Sequence, residues 1–181
     1  MGFAVLGIAS GTAAGFNGAM AVAISHGLVA GLLFLLVGVV YDRTHTREIS
    51  KLSGVAAAMP RYAGFFCFAS FAAMGLPLLS GFVGEFLTLV GAWGSTALPH
   101  VLVILAGIGI LLGGAYMLWL MQRFIFGTPS AAVEGQPDIN GREMTTVLPL
   151  AAMVVAIGVF WVLLLQYTNP IANALQKIVG A

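Results

Sequence analysis

The stretch Met74-Gly75-Leu76-Pro77-Leu78-Leu79-Ser80-Gly81-Phe82-Val83-Gly84-Glu85-Phe86 constrains this chain more than any other. It lies in an apolar run from Arg61 to Trp93, about 30 residues where a membrane-spanning helix needs about 20. A break absorbs the surplus. Pro77 has no N–H and clashes with the carbonyl four residues back, while Gly75 and Gly81 accept backbone angles that other residues avoid. A discontinuous helix over 62–93, interrupted at Gly75, Pro77 and Gly81, is therefore predicted. Irregular backbone at membrane depth is tolerated only where it is buried in protein or lines a wet cavity. Glu85 follows the proline by eight residues and is the one acidic residue inside any predicted span. An ionisable group at that depth costs about 2.5–3.5 kcal/mol on insertion scales. This weighs for a functional carboxyl over a packing group kept protonated by its neighbours.

Composition sets the class. Of 181 residues, 60% are hydrophobic and 7% charged, which excludes an ordinary soluble domain and reads as an all-α integral membrane protein. Strand alternation of the barrel type is absent. A net charge of +1 without a basic run gives nucleic acid no footing. One cysteine, Cys67, excludes an internal disulfide and reads as a small apolar packing residue. Neither a signal peptide nor a myristoylation pattern is legible at Met1-Gly2-Phe3.

Residues 1–181 read as a single polytopic membrane domain. Met1 to Ser10 is apolar but spans only about 15 Å, so it is expected to be the end of a helix. Gly11 to Gly15 reads as a turn, and the first complete span runs from Phe16 to Val40 with His26 inside it. A hydrophilic stretch from Tyr41 to Pro60 precedes the broken segment from Tyr62 to Trp93. After the short loop Gly94 to Pro99, a span covers His100 to Gln122, and the last runs from Thr146 to Tyr167, ended by Asn169-Pro170. That makes about four complete transmembrane helices plus a partial first one. Residues 168–181 are expected to form an interfacial tail, with Ile171, Leu175, Ile178 and Val179 on one face, lying on the membrane surface or against another subunit.

Stretches 41–61 and 123–146 carry six of the seven Lys and Arg and fall on one side of the membrane. By the positive-inside rule that side is cytoplasmic, and loop 94–99 and the C-terminus lie outside. His26 is then about 15 Å deep and Glu85 about 12 Å. A neutral imidazole and a carboxyl at matching depth can pass a proton through one or two waters. The plainer role for His26 is a hydrogen bond to a neighbouring helix.

Lys and Arg all stand in loops or at span ends, so Glu85 has no fixed cation inside the membrane in this sequence. A carboxyl poised between burial and a movable cation can load and release a proton. Gly27 with Gly31, and Gly109 with Gly113, are expected to permit close helix approach. His45 and His100 have no neighbours at metal-ligand spacing, and Trp93 and Trp119 suit an aromatic belt. There is no nucleotide-binding glycine pattern, nucleophile elbow or CxxC, so no cofactor and no metal is expected in this chain.

Three segments taken together resemble a known family. Ile24-Ser25-His26-Gly27-Leu28 with Leu33-Phe34 is followed by Gly38 and Tyr41-Asp42-Arg43-Thr44-His45-Thr46-Arg47-Glu48-Ile49. Then come Gly75-Leu76-Pro77 and Gly81-Phe82-Val83-Gly84-Glu85-Phe86. Their order and wording are similar to the M-type, antiporter-like proton-pumping subunits of bacterial respiratory complex I, the NADH:quinone oxidoreductase. The resemblance covers residues 1 to 127 well and the remainder in hydropathy alone.

This resemblance implies that Glu85 matches the carboxylate on the family's discontinuous helix and His26 a histidine of its central polar axis. The family's buried lysines and other key glutamate lie upstream, and Met1-Gly2-Phe3 matches a point where the family reads Ser-His-Met-Gly-Phe. The chain is thus expected to be the C-terminal portion of a longer subunit. It implies proton translocation across the bacterial inner membrane, electron transfer by other subunits, and the other membrane-arm subunits and the lipid bilayer as partners. Leu78 departs from the family, which usually has glycine after the proline. A multi-subunit cation/proton antiporter or a membrane-bound hydrogenase shares the same channel parts. A purely structural membrane module would leave Glu85 and His26 replaceable.

Overall fold

A computed structural model describes residues 1–179, whose regular structure is all helical, with no strand among them. The elements are α1 (Gly2–Ala9), α2 (Ala13–Thr44), a 3-10 turn (Ile49–Lys51), α3 (Val55–Ala58), α4 (Pro60–Ala73), α5 (Ser80–Trp93), α6 (His100–Phe124), α7 (Gly141–Val159) and α8 (Trp161–Val179). Three are uninterrupted and apolar enough to cross a membrane: α2, α6 and α7. The pair α4 and α5 forms the broken span.

The long helix α2 is the axis. Thr12 caps it, its Oγ1 accepting from Gly15 N at 3.1 Å, so it begins earlier than the expected Phe16. It ends at His45, in the left-handed region at φ 49°. Against α2 lies α5, running the other way. A Cβ on Gly18 would fall on the backbone of Thr88, one on Gly84 on Val22, and one on Gly91 on Gly15. Absent side chains let the two backbones close up, as small residues do between membrane helices. The expected pairs Gly27/Gly31 and Gly109/Gly113 play no such part: a Cβ at Gly27 or Gly109 meets nothing within 4 Å among the described residues.

On its other flank α2 is paired along its length by α7 and α8. The contacts run in antiparallel order: Arg43 to Glu143, Val29 with Val154, Asn17 to Asn169 and Ala13 to Gln176. This corrects the expected last span. The helix is interrupted at Phe160, not at Asn169-Pro170, and Pro170 lies inside α8. Tertiary contacts override the lost backbone bond there. Asn17 Nδ2 donates to Asn169 Oδ1 at 2.7 Å, Ala172 is buried, and Ala13 N donates to Gln176 Oε1 at 3.1 Å. Residues 168–179 of the expected tail thus continue α8. Ile171, Leu175, Ile178 and Val179 are exposed on it, and 180–181 lie outside the described residues.

Stretches 45–59 and 125–140 pack into one layer at the loop end of the bundle, with Leu52, Val55, Met59, Ile125, Val133 and Ile139 in the main apolar core. Arg43 organises its polar side. Its guanidinium forms a bidentate pair with Glu143, at 2.9 and 2.8 Å, and donates to Val39 O, Pro137 O and Asp138 O. Asp138 caps α4 from outside the helix, its carboxylate accepting from Arg61 N at 2.9 Å and Tyr62 N at 3.0 Å. Asn140 and Glu143 form a capping box on α7. At the opposite end, Ser95 Oγ donates to Ser10 O at 2.6 Å and Thr12 Oγ1 to Gly91 O at 3.0 Å.

Candidate functional site

The broken helix falls where Gly75, Pro77 and Gly81 predict it. α4 stops at Ala73, α5 starts at Ser80, and the residues between turn through two left-handed positions, Gly75 at φ 71° and Leu78 at φ 74°. The first suits glycine. The second is unusual for leucine, and it is the position where the sequence departs from its resemblance. Gly81 is needed for space: a Cβ there would fall on Ala72 O, the last turn of α4.

A Cβ on Gly75 would fall on Oε2 of Glu85, so the glutamate carboxyl folds back onto the break one and a half turns behind it. Glu85 is half-buried and His26 exposed. Both line one cavity of about 250 Å³, with Ser25, Ala72, Gly81 and, from α6, Tyr116 among its other walls. No Lys or Arg lines this cavity. Nor do the described residues give Glu85 or His26 an ion pair or a side-chain hydrogen bond.

Sequence reasoning missed two serines. Ser25, next to His26, and Ser80, the first residue of α5, are buried and hydrogen-bonded through their hydroxyls at 2.8 Å. They tie the histidine helix to the start of α5 beside the break. The signal was a polar side chain at the expected restart of a helix inside an otherwise apolar span. Further polar groups, Asn17, Thr88 and Thr168, are buried in the half of the bundle toward the 10–12 turn and loop 94–99. Asn17 Oδ1, Thr88 Oγ1 and Thr168 Oγ1 have no hydrogen-bond partner among the described residues. Nothing local in the sequence announces Asn17 with Asn169, which lie 152 residues apart. The remaining histidines stand apart from the cavity lining: His45 ends α2, and His100 Nε2 lies 3.1 Å from Trp93 O.

Residues 1–113 match the family described as NADH:quinone oxidoreductase/Mrp antiporter, TM. Subunit M of the NADH-quinone oxidoreductase of Rhodobacter capsulatus is 40% identical over 179 residues, 98% of this chain and 34% of that one. The NADH-ubiquinone oxidoreductase chain 4 of Chondrus crispus is 38% identical over 161 residues, 88% of this chain and 32% of that one. The chain therefore spans about a third of the length of these curated relatives. Among solved structures, respiratory complex I from Thermus thermophilus with bound NADH contains a chain that superposes with a TM-score of 0.92 at 35% identity, covering 100% of this chain and 38% of that one. A broken helix that folds its only mid-span carboxyl back onto its own interruption, in a bundle of this sequence and shape, makes the chain a multi-pass membrane member of the NADH:quinone oxidoreductase/Mrp antiporter family.

Proposed function

We propose that this chain is the part of a proton-translocating membrane-arm subunit of an NADH:quinone oxidoreductase that holds one carboxyl of the proton path. The observation that carries the reading is the shared cavity of Glu85 and His26, with the Glu85 carboxyl against the backbone break and no Lys or Arg in the cavity lining. The imidazole takes up a proton on one ring nitrogen and releases it through water to the Glu85 carboxylate, which becomes a neutral acid. The break supplies backbone groups free of helix hydrogen bonds and room for that water. Release follows when a positive charge approaches from residues outside this chain and favours the carboxylate again. Moving one proton against 100 mV needs about 2.3 kcal/mol, drawn from electron transfer in other subunits.

The buried hydroxyls and the buried Asn17 amide between Glu85 and the 10–12 turn support release toward that end, and six of seven basic residues at the other end support a cytoplasmic face there. On this reading the chain sits in a bacterial inner membrane with the end of α8 outside, and its partners are the other membrane-arm subunits and lipid. Its place as the C-terminal portion of a longer subunit belongs to the same proposal. The test is proton pumping by membrane vesicles carrying the whole complex, comparing Glu85→Gln with wild type while NADH oxidation is followed. Lost pumping in an assembled complex is the expected result; unchanged pumping defeats the proposal. The family description also names antiporters, and ion flux that exchanges a cation for protons without NADH would favour that second reading.

A further inference from the structure

Two helix interruptions meet in this fold. One is the break between α4 and α5; the other is the joint at Phe160 between α7 and α8. A Cβ on Gly158 would fall on the carbonyl of Leu78 and the carbonyl carbon of Leu79. The contact is backbone against backbone, with no side chain able to swing away. Next to it Leu78 is held at φ 74°, a conformation costly to any residue with a Cβ. Pro77, Leu78, Gly158 and Trp161 also line a cavity of about 230 Å³ between the two interruptions.

The peptide that Gly158 touches leads directly into Ser80, whose hydroxyl is bonded to Ser25 beside His26. On the far side of the same break, Gly75 receives Oε2 of Glu85. Residues 74–79 are the only part of the broken span outside regular helix. A shift of the Leu78–Leu79 peptide therefore moves α5 relative to Gly75, and Glu85 travels with α5.

We infer that Gly158 is a positioning residue for Glu85: the end of α7, seated on the Leu78–Leu79 peptide, sets how the carboxyl meets Gly75, and rearrangement at either interruption is transmitted to the other. Its effect on transport rests on the reading of Glu85 as a proton carrier; the mechanical link does not.

The link is tested by hydrogen exchange on the whole purified complex, wild type against Glu85→Gln, with Gly158 untouched so that folding is not at issue. Segments 74–80 and 158–162 are expected to change exchange together, by about five-fold or more, the lower range of what coupled sites transmit. Exchange at 158–162 that stays at its wild-type rate overturns the inference. The transport arm compares Gly158→Ala, alone and with Leu78→Gly, as protons pumped per NADH oxidised in vesicles. Gly158→Ala is expected to lower that ratio about two-fold or more, since sub-ångström misplacement of a reacting group is costly. Leu78→Gly should restore it by letting the peptide step aside. A merely structural role would reduce the amount of assembled complex, leave the ratio intact and gain nothing from Leu78→Gly, and that result overturns the positioning role. Wild-type pumping by Glu85→Gln would instead defeat the reading of Glu85, with the exchange arm still deciding the link.

Discussion

Gly75 and Glu85 occupy each other's space: the Oε2 atom of the glutamate sits where any side chain at position 75 would begin. Replacing Gly75 by alanine imposes two penalties at once. The left-handed φ of 71° costs a residue with a Cβ about 1–2 kcal/mol, and the carboxyl is expelled from the break. We expect Gly75→Ala to destabilise the subunit by at least that amount and to abolish most pumping. Thermal unfolding of the purified complex and vesicle acidification check the two effects separately.

The ion pair of Arg43 with Glu143 joins the end of α2 to the start of α7, and its side chains are 9% and 20% exposed. Removing one member strands the other in a partly buried place. Arg43→Ala is expected to cost about 2–4 kcal/mol, near the lower range for broken buried pairs, because three backbone carbonyls lose their donor as well. Glu143→Gln should cost less, since the amide can still accept one bond. The level of assembled complex in membranes would rank the two.

Asp138 gives the loop layer a dependence on acid. Partial burial pushes its carboxyl up, but backbone donation from Arg61, Tyr62 and Ile139 and the nearby Arg61 charge push it down further, so it ends below the ordinary carboxylate range. A carboxyl lowered by folding stabilises the folded state above the ordinary aspartate range near about 3.9. That contribution fades as pH falls through the folded value. Protection of the Arg61 and Tyr62 amides, corrected for intrinsic exchange, should hold at pH 5 to 7 and drop below about pH 4. In Asp138→Asn it should be low throughout.

The seam between α2 and α5 makes a further prediction. Gly18→Ala or Gly84→Ala places a methyl on the opposing backbone at Thr88 or Val22, and each is expected to destabilise by about 1–3 kcal/mol, as overpacking does. Gly109→Ala, whose Cβ meets nothing within 4 Å, should be neutral in the isolated chain. Unfolding of the three variants in detergent gives the comparison.

The broken span was legible because its signals are local: excess apolar length, Pro77 between glycines, and one carboxyl where carboxyls are expensive. His26 stood out as the one histidine in the interior of a predicted span, and the fold brings it to the cavity that Glu85 lines. The second interruption was not legible, since Phe160-Trp161 contains no breaker while Pro149 and Pro170 sit inside α7 and α8. Contacts with α2 decide that geometry, and no window of sequence contains them. The glycines followed the same logic. Spacing singled out Gly27, Gly31, Gly109 and Gly113, but close approach depends on which face meets a neighbour, and Gly18, Gly84 and Gly158 hold those places.

The hydrophilic connection between α6 and α7 invites use as an insertion point for an epitope or a fluorescent tag. Most of it is unsuitable: Thr128 O and Ser130 N are bonded to Ser53, Asp138 holds the start of α4, and Val133 and Ile139 are buried. The tip at Glu134-Gly135 is exposed, and a Cβ on Gly135 meets nothing within 4 Å. A probe grafted there would report on the loop face without loosening α4, whereas cutting the chain a few residues later would free the helix that carries the break.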